Sequence, residues 1–139
     1  MPINPPNPEE RLVAIVDDDA SVRQSARRLI RSLGYRAEAF GSAEEFLDSG
    51  QVTGTACLIL DVRMPGMDGL ALQSHFADTG LAIPIVFITG RASDEEERRA
   101  LGAGAVAFLR KPVDKETLLR VLAAVLGSSP SVGGKRDET

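Results

Sequence analysis

A single cysteine in 139 residues excludes an internal disulfide. That fits a reducing compartment. Cys57 sits inside the apolar run ACLIL, where a thiol is expected to be buried and inert. The one histidine, His75, has no partner at metal-ligand spacing and polar neighbours on a helix, so it reads as surface or half-packed. Basic charge is not in excess. Sixteen Lys and Arg against 20 Asp and Glu leave a net charge of −4, which argues against nucleic-acid binding by this chain alone. No apolar stretch approaches the ~20 residues that span a bilayer. The opening MPINPPNPEE is proline-rich and acidic, without the basic and apolar regions of a signal peptide. These absences lead to the expectation of a cytoplasmic protein with no membrane partner. The composition, 43% apolar and 26% charged, suits one ordinary domain with its own core.

The periodicity changes repeatedly along the chain. Residues 1–10 read as a flexible arm, and 128–139 (SPSVGGKRDET and its preceding serine) as a flexible tail or linker. Between them, 11–127 alternates short apolar runs with helical patterns. LVAIVD (12–17) is a strand, and the helix after it carries Val22, Ala26, Leu29, Ile30 and Leu33 on one face before Gly34 stops it. YRAEAF (35–40) alternates and reads as a weaker, half-exposed strand. Ser42 and Glu45 form a capping box for a short helix. ACLILD (56–61) is a strand, followed by the Pro- and Gly-rich loop VRMPGMDG, in which Met64 and Met67 are expected to pack, and a helix over about 70–78. IPIVFIT (83–89) is a strand, and Ser93 with Glu96 makes a second capping box for a helix reaching Leu101. The run DEEERR there reads as a solvated helix start. AVAFLRK (105–111) is the last strand, and Leu118, Leu119, Leu122 and Val125 share a face of the last helix. Five strand–helix units predict an α/β fold with a parallel sheet covered on both faces. The continuous apolar runs of the first, third, fourth and fifth strands suit strands buried on both sides.

Ligands bind such sheets at the carboxyl ends of the strands. Those ends carry Asp17, Asp18 and Asp19; then Asp61; then Thr89; then Lys111. Two carboxylates ~4 Å apart repel by roughly 4 kcal/mol at an effective dielectric of ~20. A cluster of them therefore points to a hard divalent cation such as Mg²⁺, which takes oxygen ligands. The simpler alternative for the aspartate triplet is that the acids only begin the next helix, where carboxylates suit the dipole.

VAIVDDD, LILDVRMPGMDG, IVFITG and FLRKP, in this order and at these intervals, resemble the receiver domain of bacterial two-component response regulators, closest to FixJ-type receivers. The likeness covers about residues 12–126. It implies a doubly wound, flavodoxin-like (βα)5 sandwich with strand order 2-1-3-4-5. It implies that Asp61 is the phosphoacceptor, that Asp17 and Asp18 with Asp61 and the backbone carbonyl of Arg63 hold Mg²⁺, and that Thr89 and Lys111 meet the phosphoryl group. It also implies a cis Lys111–Pro112 bond, a switch role for Thr89 and Phe108, and a histidine kinase or phosphotransfer protein as donor. Control of a downstream partner or domain, and homodimer formation on phosphorylation, follow from the same likeness. A receiver is a regulatory domain rather than a conventional enzyme, although it catalyses its own phosphorylation and dephosphorylation.

Two rival readings stand beside this one. Asp17-x-Asp19 after an apolar strand also resembles the first motif of haloacid-dehalogenase-type phosphatases, with Asp17 as nucleophile and Asp19 as acid/base. Those enzymes carry a second acidic loop, and none follows Thr89 or Lys111. The other is a degenerate receiver that works without phosphorylation, against which all the named positions are filled. The short tail fits both a stand-alone regulator and the receiver of a longer transcription factor. Arg63, two residues after Asp61, and Arg91, two after Thr89, are placed to overhang the phosphoryl group. Replacing Arg91 is therefore expected to change the rate at which the phosphorylated chain loses its label, measured by following intact mass after the donor is removed.

Overall fold

The computed structural model describes residues 11–127, so the expected arm over 1–10 and tail over 128–139 lie outside the described residues. Strands and helices alternate as β1 (Leu12–Val16), α1 (Ala20–Ser32), β2 (Arg36–Phe40), α2 (Ala43–Leu47), β3 (Thr55–Leu60), α3 (Gly69–Thr79), β4 (Ile85–Thr89), α4 (Asp94–Gly102), β5 (Ala107–Arg110) and α5 (Lys115–Leu126). The five strands form one parallel sheet in the order β2-β1-β3-β4-β5.

Side chains alternate across a strand, and this divides the core in two. Ala14, Val16, Leu58, Leu60 and Phe87 face one side, where Phe46 of α2, Leu72 and Phe76 of α3 and Ala100 of α4 meet them. Val13, Ile15, Cys57, Ile59 and Val86 face the other, against Ile30 of α1 and Leu118, Leu122 and Leu126 of α5. This double burial is why β1, β3 and β4 read as unbroken apolar runs. β5 does not share it. Its apolar run suggested a central strand, but it is an edge strand with Ala107, Phe108 and Leu109 only half-buried and Arg110 exposed. β4 begins two residues later than its apolar run, at Ile85, because Pro84 has no N–H to give to a ladder.

The helices start where side-chain caps dictate. Asp19, Asp68 and Asp114 each accept a backbone N–H of the first turn of α1, α3 and α5. The capping box of Ser93 and Glu96 is complete. The one expected from Ser42 and Glu45 is only half made: Ser42 caps α2, but the Glu45 carboxylate accepts from the N–H of Gly41, one residue before the cap.

Gly69, the first residue of α3, packs directly against the backbone at Asp61. An added Cβ would overlap the Asp61 carbonyl oxygen and sit 3.0 Å from the Phe87 ring. Neither a main chain nor a fully buried ring can give way easily. Gly69→Ala is expected to lower stability by about 1–3 kcal/mol, the scale of overpacking, read as a shifted urea-unfolding midpoint.

Candidate functional site

Backbone pairing brings the polar strand ends together. The N–H of Asp61 donates to Val16 O at 3.1 Å, that of Asp17 to Phe40 O at 3.2 Å, and that of Lys111 to Thr89 O at 2.9 Å. The ends of β1, β3, β4 and β5 therefore lie side by side, and Asp17, Asp61, Thr89 and Lys111 open on one crevice, as the strand-end rule requires. One oxygen from each of Asp17, Asp18 and Asp61 lies within 4.8 Å of the others. The Lys111 ammonium is 2.9 Å from Asp17 Oδ2 and 3.7 Å from Asp61 Oδ2. The Lys111–Pro112 peptide is cis. The Arg63 N–H lies 3.4 Å from Asp61 Oδ1, placing that stretch of backbone at the same end of the sheet.

The three consecutive aspartates divide between the two readings offered for them. Asp17 is buried, with Oδ1 accepting from the Asp19 N–H at 2.9 Å and Oδ2 taken by Lys111. Asp18 is exposed and turns an oxygen to the cluster. Asp19 belongs to the helix: its Oδ1 accepts from the N–H groups of Ser21 and Val22 and from the Ser21 hydroxyl. Those bonds hold its carboxyl below the usual carboxylate range.

Burial pushes the Asp61 carboxyl above its ordinary value, and the neighbouring Asp17 charge pushes the same way. Lys111 and the Arg63 N–H act against that rise without cancelling it. Burial alone would lower the Lys111 ammonium, but its bond to Asp17 and the charges of Asp17 and Asp61 outweigh burial and raise it. Lys111 is therefore firmly charged and Asp61 is under electrostatic tension. Elsewhere, burial raises the Cys57 thiol to about 12, which makes it inert.

Several contacts carry no signal in the sequence. Arg23 of α1 donates to the Asp17 carbonyl at 2.9 Å. Glu44 of α2 accepts from the Met67 N–H at 3.0 Å and tethers the loop after Asp61, where Gly66 adopts φ +73°. The Arg63 side chain reaches Glu96 of α4 at 2.8 Å. Arg110 bonds the Ala92 carbonyl at 2.7 Å and Glu97 at 2.9 Å, and lies over the Phe108 ring at 5.6 Å. The acids of DEEERR are thus only partly a solvated face, since Glu96 and Glu97 are engaged by arginines distant in sequence. Phe108 is half-buried against Phe87, ring centres 5.7 Å apart. Thr89 is fully buried, its hydroxyl donating to Arg91 O and accepting from Arg91 N, while Arg91 itself is exposed. His75 is half-buried beside Phe76.

A family model for the response regulator receiver domain matches residues 13–123. The chain belongs to that family. Among its relatives, this receiver is 47% identical over 114 residues to nodulation protein W of Bradyrhizobium diazoefficiens, covering 81% of this chain and 50% of that protein. It is 43% identical over 125 residues to the response regulator protein TmoT of Ectopseudomonas mendocina, covering 89% and 56%. A FixJ of Azorhizobium caulinodans is 35% identical over 130 residues, covering 94% and 62%. The chain thus spans about half the length of the curated relatives it matches. Among solved structures it is similar to the response regulator StyR, with a TM-score of 0.77 and 42% identity, covering 84% of this chain and 59% of that one. It is also similar to the structure titled FixJ-N, with a TM-score of 0.74 and 31% identity, covering 83% and 92%. The fold is therefore the CheY-like, flavodoxin-type receiver fold, as the order β2-β1-β3-β4-β5 shows. Receiver domains of two-component systems work with histidine kinases or phosphotransfer proteins and bind Mg²⁺ at an acidic pocket. Among the described residues, no helix is long and apolar enough to cross a membrane.

The raised Asp61 carboxyl has a consequence for stability. A folded state that prefers the protonated acid loses stability once the acid is ionised. Asp61→Asn is therefore expected to melt at a higher temperature than the parent at pH 7. The gap should close as pH falls through the carboxylate range, where both chains carry a neutral group. Thermal melts followed by circular dichroism across pH check this.

Proposed function

We infer that this receiver is a phosphorylation-dependent switch in which Asp61 is the phosphoacceptor. The observation that carries this reading is the convergence of Asp61, Asp17, Asp18, Thr89 and Lys111 at adjoining strand ends. The donor would be the phosphohistidine of a histidine kinase or phosphotransfer protein. An Asp61 carboxylate oxygen attacks phosphorus, the P–N bond breaks, and its electron pair returns to the imidazole nitrogen. Phosphoryl transfer demands alignment and neutralised charge more than covalent help, and the pocket offers the first and, through Lys111, part of the second. The Gly69 contact and the Arg63 N–H fix Asp61, and Lys111 contributes an ammonium poised between two carboxylates.

The donor set fits a hard dication. Three carboxylate oxygens within 4.8 Å exceed what one ammonium can offset. Asp17, Asp18, Asp61 and the backbone carbonyl of Arg63 would hold Mg²⁺, whose charge would stabilise the transferring phosphoryl oxygens. Thr89 would donate its hydroxyl to the phosphoryl group, giving up the Arg91 carbonyl, and Phe108 would follow into the space. The product adds about −1.5 to −2 charges beside existing acids. The face formed by α4, β5 and α5 would carry the change to a downstream partner or domain, a second copy of the phosphorylated chain included.

The phosphatase reading asks Asp17 to be the nucleophile and Asp19 to shuttle a proton. Both Asp17 oxygens are already engaged, and Asp19 is spent on capping α1, so the contacts favour Asp61. Acetyl phosphate with Mg²⁺ should add the mass of one phosphoryl group to the wild type. Neither Asp61→Asn nor the wild type stripped of Mg²⁺ should gain it. Intact mass decides, and label retained in Asp61→Asn would transfer the role to another residue. No label on the wild type would favour a receiver that works without phosphorylation.

A further inference from the structure

Helix α4 has little apolar attachment to the rest of the molecule. Ala100 is the only buried residue it contributes, and its first turn is Asp94, Glu95, Glu96 and Glu97. Polar ties hold it instead. Gln73 of α3 donates to the Ala100 carbonyl at 3.0 Å. From the β5 side, Arg110 holds Glu97 and the Ala92 carbonyl. From the side of the phosphoacceptor loop, Arg63 holds Glu96 at 2.8 Å, and the same Glu96 oxygen accepts the Ser93 N–H at 2.9 Å to close the capping box.

We propose that Arg63 is the residue through which this site reports its phosphorylation to α4: it exchanges Glu96 for the phosphoryl group on Asp61. The proposal rests on the phosphoacceptor reading and adds its route of transmission. Arg63 is two residues from Asp61, and its own N–H already approaches the Asp61 carboxylate. Its present partnership is modest, because the Arg63 side chain is 58% exposed, although Glu96 is only 19% exposed, and a pair open to water on one side gains little. A phosphoryl group presents more charge than Glu96 and oxygens matched to the guanidinium fork. Once Arg63 leaves, an uncompensated Glu96 joins Asp94, Glu95 and Glu97 at the start of α4. The turn loses its tie to the β3–α3 loop while Arg110 still grips Glu97, so α4 is free to pivot about its β5 side. Because Arg110 also covers the Phe108 ring, the pivot acts on the residue that Thr89 would influence from within. Arg63 is in this sense a positioning residue whose charge has two competing destinations.

The test is titration of the intact chain with beryllofluoride and Mg²⁺, followed by amide NMR, with Glu96→Gln, Arg63→Ala, their combination, and Glu95→Gln as a charge control. Gln at position 96 keeps the capping hydrogen bond, and Arg63→Ala keeps the backbone carbonyl. Glu96→Gln should bind the mimic roughly threefold more tightly than Glu95→Gln, the scale of an exposed ion pair, because it releases Arg63. Arg63→Ala should bind it more weakly. In the Arg63→Ala background, Glu96→Gln should bring no gain beyond that of the Glu95→Gln control. The amides of residues 93–97 should be shifted before any mimic is added in both single variants at the pair. Equal affinities for Glu96→Gln and Glu95→Gln, or a gain that survives without Arg63, would overturn the exchange while leaving Asp61 as acceptor. If the wild type bound no mimic at all, the phosphoacceptor reading would fall and the exchange with it.

Discussion

One ammonium shared among carboxylates governs this end of the molecule. Lys111 lies between Asp17 and Asp61, and Asp18 turns a third oxygen to the same corner. Everything that fixes these groups comes from the backbone of a parallel sheet. The order β2-β1-β3-β4-β5 sets β1 beside β3 and β4 beside β5. Main-chain bonds from Asp61 to Val16 and from Lys111 to Thr89 hold the strand ends level. The apolar layers above and below the sheet supply the rigidity that keeps like charges from drifting apart. The site is an excess of negative charge assembled by hydrophobic burial some distance away.

Much of this was legible in the sequence because two periodicities coincide. The unbroken runs LVAIV, CLIL and IVFI reveal strands buried on both faces, and the polar residues that end them mark the crevice. The five strand–helix units and the family likeness then agree with the observed fold. The strand-end residues Asp17, Asp61, Thr89 and Lys111 and the neighbouring Asp18 come together as the spacing suggested.

What the sequence hides is the direction of individual side chains and several pairings between residues far apart in the chain. Asp17, Asp18 and Asp19 look alike in a string, yet the first is buried against Lys111, the second faces the cluster and the third caps α1. Arg110 reads as one more charge at a strand end, but its fork joins Phe108 to the start of α4. Glu44 and Met67 are separated by a whole strand before they meet. β5 reads like a central strand because half-burial at a sheet edge can carry as many apolar residues as full burial at its centre. The capping box at Ser42 failed by one residue for a similar reason: the Glu45 carboxylate is long enough to choose between neighbouring N–H groups.

The sparse anchoring of α4 also bears on how such a domain diversifies. A helix that lends one alanine to the core can have its outward residues rewritten with little effect on folding. The strands that carry the acidic corner have no such latitude, since nearly every side chain in β1 and β3 is enclosed. The acidic corner is thus tied to the parts of the fold least free to change, and α4 to the part most free to.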